Sequence, residues 1–187
     1  MTYEKILGRL KDKLSEKRYI HSMGVEYTAA ALAMVWDVDV EKARLAGILH
    51  DCAKGLSGKD SLEKAKKHNI PISKYEKRNP ELLHAKLGAY YAKAKYDIDD
   101  EEILAAIACH TTGKPGMNTL EEIIFVADYI EPNRKPLPEI EEIRKEAFTD
   151  LHFCVLHILK NTIAYLKKDG AEMDEMTEKT YAYYLSH

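Results

Sequence analysis

Cysteine is scarce in this chain and forms no framework. Cys52, Cys109 and Cys154 are odd in number and lack C-x-x-C spacing, which argues against a disulfide scaffold. Long apolar runs are missing too, since none approaches the roughly 20 residues that cross a bilayer. The opening MTYEKILGRLKDKLSEKR is charged from the start and has no signal-peptide core, so the expectation is a reduced, cytoplasmic protein with no membrane partner. An excess of one charge sign is also lacking. The formal net charge is -3 over 187 residues. Nucleic acid is therefore not an expected partner, and an anionic substrate has to be drawn by a local cationic cluster or a metal. Finally, there is no alternating strand pattern, no repeat and no low-complexity linker.

Helical periodicity is abundant. Ile6, Leu7, Leu10 and Leu14 recur at helical spacing, and similar patterns predict helices over Tyr19–Trp36, Val40–Cys52, Ser61–His68, Pro80–Tyr96, from Asp99 and Asp100 to His110, and Leu120–Ile130. Two more run from about Glu139 to Phe148 and from about Asp150 to Lys168, and the tail after Gly170 has room for a short one. Gly55 and Gly58 are expected to open a loop, TTGKPGMN to break the chain, and Pro132, Pro136 and Pro138 to mark another loop. The implied architecture is one all-α domain over residues 1–187, with a metal-binding core at about 18–134 and C-terminal helices at about 139–187.

Eight histidines are the informative surplus, because several sit among small or apolar residues instead of in charged runs. His50 and Asp51 follow an apolar helix in LAGILHDCAKG. Successive helical residues diverge by roughly 100°, so such a pair can converge only on an object between them, such as a metal ion. Lys54 falls one turn later, where it could meet a metal-bound phosphate. His21 sits in RYIHSMGV with Arg18 one turn before it. Asp128 ends the apolar stretch IIFVAD, where an unpaired carboxylate would be costly. Two imidazoles and two carboxylates suit iron, manganese, zinc or cobalt and leave positions open for water and substrate. His84 and His110 interrupt apolar faces in the same way. They could ligate a second metal with Asp51 as bridge, hydrogen-bond a phosphate, or protonate a leaving group.

Each of these residues has a plainer reading. A lone histidine on an apolar face is more often a satisfied core residue. Arg18 and Lys114, taken singly, read as solvated surface, and Arg134 stands between the two readings. Cys52 and Cys109 read as buried fillers, and Tyr181, Tyr183 and Tyr184 as packing. The ordered set H…HD…D is what shifts the balance.

That set, on helices, resembles the HD-domain superfamily of metal-dependent phosphohydrolases. R-Y-I-H-S-M-G-V, A-G-I-L-H-D-C-A-K, L-L-H-A-K-L-G-A, I-A-C-H-T-T-G-K-P-G-M and V-A-D-Y-I-E-P-N-R look more closely like the YqeK family, from about Arg18 to Leu151. The resemblance implies an HD-domain helical bundle. It implies His21, His50, Asp51 and Asp128 as ligands of an iron-type metal, and Arg18, Lys54, His84, His110 and Arg134 near the substrate phosphates. It also implies hydrolysis of diadenosine tetraphosphate to two ADP. The chemistry of that cleavage makes Asp51, which could orient or deprotonate the water, and His84 or His110, which could protonate the leaving phosphate, the candidate catalytic groups. The family's tail carries a threonine and then an arginine-asparagine pair. Here Thr177 is present, but Tyr181 and Ala182 stand where the pair would be. The alternatives are a nucleotidase or guanosine-tetraphosphate hydrolase on the same domain, or a nucleotide sensor without turnover. Apolar helical faces leave a homodimer open.

Overall fold

The helices form where the periodicity predicts them, and their ends are set by identifiable caps. The computed structural model describes all residues except 136 and 171, so Pro136, one of the three expected loop prolines, lies outside the described residues. Among the described residues there is no strand. α1 is Tyr3–Lys13, α2 Glu16–Val35, α3 Val40–Leu49, α4 Gly58–Lys67, α5 Lys74–Arg78, α6 Leu83–Tyr96, α7 Glu101–Cys109, α8 Thr119–Ile130, α9 Ile140–Glu146, α10 Leu151–Lys168 and α11 Glu175–Ser186.

Three ends differ from the periodic reading, each for a local reason. α3 stops at Leu49, not Cys52. His50 turns its ring back onto the Gly47 carbonyl, the Cys52 amide donates to the Leu49 carbonyl, and Gly55 takes φ +91°, a region glycine enters without penalty. Gly58 opens no loop. It is the first residue of α4, because the Ser57 hydroxyl caps the Asp60 amide and satisfies a donor the helix leaves free. Pro80, which has no amide hydrogen to donate, starts a 3₁₀ turn over Pro80–Leu82 ahead of α6. The tail helix α11 is a full 12 residues. α5 was not expected, and its signal is a capping box between Ser73 and Glu76.

The core is built on α2, α3, α6, α7 and α8, with α2 packed most extensively on α3. α8 is apolar nearly all round, with Ile123, Ile124, Val126 and Ala127 fully buried, as expected of a central helix. Gly47 lets α3 approach α2 closely, since a Cβ there would lie 2.9 Å from the Glu26 Cα. Cys52, Cys109 and Cys154 are free and buried, and burial pushes the Cys52 and Cys109 thiols up to about 12. Tyr184 is buried and donates to Glu122, so it packs as expected. No described helix is long and apolar enough to cross a membrane.

Candidate metal centre

Each of the five central helices delivers one ligand-type side chain to a common point. His21 comes from α2, His50 from the end of α3, His84 from the first turn of α6, His110 from the end of α7 and Asp128 from α8. Asp51 follows His50 into the middle. All but Asp128 are buried.

Three of the histidines are oriented by one local device. Nδ1 of His50 lies 2.7 Å from the Gly47 carbonyl and Nδ1 of His110 lies 2.8 Å from the Ile107 carbonyl. Nδ1 of His84 meets the Glu81 carbonyl. Each acceptor is three residues upstream. A carbonyl can only accept, so each Nδ1 carries the hydrogen and each Nε2 presents a lone pair inward. His21 uses a different partner, with its Nδ1 2.9 Å from Glu131 Oε1.

Asp51 divides the cluster. Its Oδ2 lies 3.4 Å from His50 Nε2 and 3.9 Å from His21 Nε2, while its Oδ1 lies 3.3 Å from His84 Nε2 and 3.8 Å from His110 Nε2. Asp128 Oδ1 closes the first side, 2.9 Å from His21 Nε2 and 3.6 Å from His50 Nε2. His50 Nε2 and Asp51 Oδ1 are buried and have no hydrogen-bond partner, and the buried His21 Nε2 faces Asp128 Oδ1 at 2.9 Å out of hydrogen-bond alignment. An unsatisfied buried polar atom costs about 1–3 kcal/mol, so three aimed at one point fit a cation. The triads His21–His50–Asp51, His50–His110–Asp128 and Asp51–His84–His110 each offer ligand atoms within 4.8 Å of one another. Mixed imidazole and carboxylate donors suit a divalent metal.

Cations flank the carboxylates of both Asp51 and Asp128. Arg18 Nη1 donates to Asp51 Oδ2 at 2.6 Å. Arg134 grips Asp128 twice, Nε to its carbonyl at 2.7 Å and Nη2 to Oδ1 at 2.8 Å. Lys54 Nζ sits 3.1 Å from His84 Nε2. Burial lowers the Lys54 ammonium against the pull of Asp51. Burial, then the neighbouring His110 and Lys54, bring His84 down to about 3, while burial and His50 bring His110 down to about 4. Burial opposes ionisation of Asp51, but His50, His110 and His84 outweigh it and hold the carboxyl well below the usual range. Burial works against a cationic His50, but Asp51 and Asp128 outweigh it and raise its pKa. Near neutrality the centre therefore holds an ionised Asp51 beside neutral His84 and His110, and a metal binding at His50 would displace its proton.

Nine residues singled out in the sequence meet here: Arg18, His21, His50, Asp51, Lys54, His84, His110, Asp128 and Arg134. Lys114 does not, because its Nζ pairs with Glu121 Oε1 at 2.6 Å. Sequence reasoning missed Thr111, whose hydroxyl lies 3.4 Å from His84 Nε2, and Glu131. A cavity of about 600 Å³ is lined by Arg18, His21 and Arg134. Another, of about 790 Å³, is lined by Ala85 and Thr111, the chain neighbours of His84 and His110, and by Arg78, Lys86, Lys114 and Lys179.

The HD domain model matches residues 18–133, so the chain belongs to the HD-domain family. Within that family it is 41% identical to the symmetrical bis(5'-nucleosyl)-tetraphosphatase of Bacillus subtilis (strain 168), over 100% of this chain and 99% of that protein. It is 42% identical to the protein of the same name from Halalkalibacterium halodurans, over 97% of this chain and 96% of that one. The crystal structure of a predicted HD superfamily hydrolase involved in NAD metabolism, from Clostridium acetobutylicum, superposes with a TM-score of 0.96. It is 42% identical, and the match covers 100% of this chain and 98% of that one.

Proposed function

We propose that the chain is a metal-dependent hydrolase that cleaves dinucleoside tetraphosphates symmetrically, diadenosine tetraphosphate to two ADP. The observation that carries this reading is the position of Asp51. One of its oxygens faces His21 and His50 and the other faces His84 and His110. One cavity reaches the first pair at Arg18, His21 and Arg134, and another lies against Ala85 and Thr111, the chain neighbours of the second pair. Two cavities about one centre suit a substrate with two like halves. The relatives named as symmetrical tetraphosphatases support the same choice.

In this reading His21, His50, Asp51 and Asp128 hold the metal, iron before manganese, cobalt or zinc. When bound, a divalent metal lowers the pKa of water and polarises a phosphoryl oxygen. Arg18, Lys54 and Arg134 neutralise the non-bridging oxygens, as charge-assisted donors do best in a partly dry site. Asp51 orients the attacking water. His84 or His110, neutral with an inward Nε2 lone pair, accepts the proton that the attacking water gives up and passes it to the departing diphosphate, a role their shared position beside Asp51 Oδ1 allows. The reading takes residues 1–187 as one HD domain acting in the cytoplasm. It includes a homodimer through the exposed apolar face of α2, where Ile20, Tyr27, Met34 and Val35 are uncovered. Sedimentation tests the homodimer.

Incubation of metal-loaded protein with diadenosine tetraphosphate tests the activity. ADP as sole product is expected. ATP with AMP, or nucleoside with inorganic phosphate, overturns the symmetric cleavage, and tight binding without product marks a sensor.

A further inference from the structure

Glu131 stands behind the centre with both carboxylate oxygens engaged. It caps the C-terminus of α8 and is almost fully buried. Its Oε2 accepts from the Asn133 backbone amide at 2.7 Å and from Asn133 Nδ2 at 3.1 Å. That leaves Oε1 for His21 Nδ1 at 2.9 Å. Gly24 lies on the same face of α2, three residues after His21, and a Cβ there would come within 2.3 Å of Glu131 Oε2. The bare backbone is what lets the carboxylate reach the ring. The segment continues into Arg134, which holds Asp128, so one short turn braces two of the four proposed ligands.

We propose that Glu131 is a positioning residue for the metal: held by Asn133 in the space Gly24 leaves, its carboxylate fixes His21 as the Nδ1–H tautomer and aims the Nε2 lone pair at Asp51 and Asp128. The other three histidines rely on neutral backbone carbonyls, whereas His21 alone has a carboxylate partner. A carboxylate at this position raises the basicity of the ring, and removing such a partner typically costs about 10–100-fold in metal affinity. The inference rests on His21 being a metal ligand.

Glu131→Gln is the discriminating variant, because it keeps size and shape. Both Asn133 donors demand an acceptor where Oε2 stands. The glutamine carbonyl must take that place, so its NH₂ faces His21 Nδ1 and forces the hydrogen onto Nε2. Metal affinity is measured by chelator competition, and the His21 tautomer by ¹⁵N NMR of metal-free protein. The expected result is affinity weaker by roughly 10–100-fold, with His21 switched to the Nε2–H form. Wild-type affinity, or lost affinity with an unchanged tautomer, overturns the proposal. If Glu131→Gln fails to fold, Asn133→Ala removes one of the exposed holding donors. It is expected to weaken metal binding to a smaller degree, and unchanged affinity contradicts the role. Wild-type protein that binds no metal would instead contradict the metal centre itself, which separates the two failures.

Discussion

His84 Nε2 and His110 Nε2 face each other across 3.1 Å, while both Nδ1 atoms point at backbone carbonyls. Two lone pairs in that position repel unless a proton or cation lies between them. Since both rings stay neutral near pH 7, the pair is poised to accept a hydrogen or a cation on the Asp51 Oδ1 side. Replacing His84 or His110 with alanine should lower kcat for diadenosine tetraphosphate by about 10²–10⁴-fold, the usual range for a lost proton-transfer group. Metal at the proposed ligands His21, His50, Asp51 and Asp128 should stay bound. Steady-state kinetics alongside metal analysis checks this, and wild-type kcat in both variants would remove the pair from the chemistry.

Arg18 and Arg134 touch the carboxylates of Asp51 and Asp128 and are each about one-third exposed. A phosphate can recruit either guanidinium without moving a core element. Arg18→Ala and Arg134→Ala should each lower kcat/KM by about 10²–10³-fold, as loss of one charge-stabilising donor does. Thermal unfolding of the metal-loaded protein should change little.

Gly47 couples the fold to the centre. A Cβ there would press on the Glu26 backbone at 2.9 Å, and the Gly47 carbonyl orients His50. Backbone cannot yield as a flexible side chain can, so Gly47→Ala should cost about 1–3 kcal/mol of stability. Urea unfolding measures this, and a midpoint equal to wild type would show that α2 and α3 have slack.

His157 offers a pH test away from the centre. Its Nδ1 lies 2.8 Å from Glu146 and its Nε2 3.1 Å from Glu139. Burial works against the cation, but the two carboxylates outweigh it and raise the pKa. A raised folded-state pKa means a contribution fully present below about 6.5, the ordinary value, and lost as pH rises through the folded value. Unfolding temperatures of wild type and His157→Gln should therefore converge between pH 6 and pH 9. A gap that stays constant with pH contradicts the ion pair.

Much of this arrangement is legible in the sequence. Amphipathic spacing marks α1, α2 and α10 because each has several turns of one-sided burial, and a continuous apolar run marks the central α8. α5 escapes because five residues are too few to show a period, and only the Ser73–Glu76 capping box announces it. His21, His50, Asp51 and Asp128 stand out as polar residues in apolar surroundings. Glu131 does not, since in Y-I-E-P-N-R a glutamate before proline reads as an ordinary helix end. Its burial follows from α2 passing across it at Gly24, a long-range contact that local pattern cannot carry. Arg78, Lys86, Lys114 and Lys179 read as solvated surface one at a time, and each indeed pairs with a carboxylate, Glu172, Glu76, Glu121 and Glu175 in turn.

Metal analysis of purified wild type beside His50→Ala and Asp128→Asn tests the central claim most directly. His50 Nε2 has no hydrogen-bond partner, and Asp128 Oδ1 lies near both His21 and His50. The account predicts bound divalent metal in wild type and a large loss from both variants, with the metal-free proteins still folded. Unchanged metal content in both variants would contradict it.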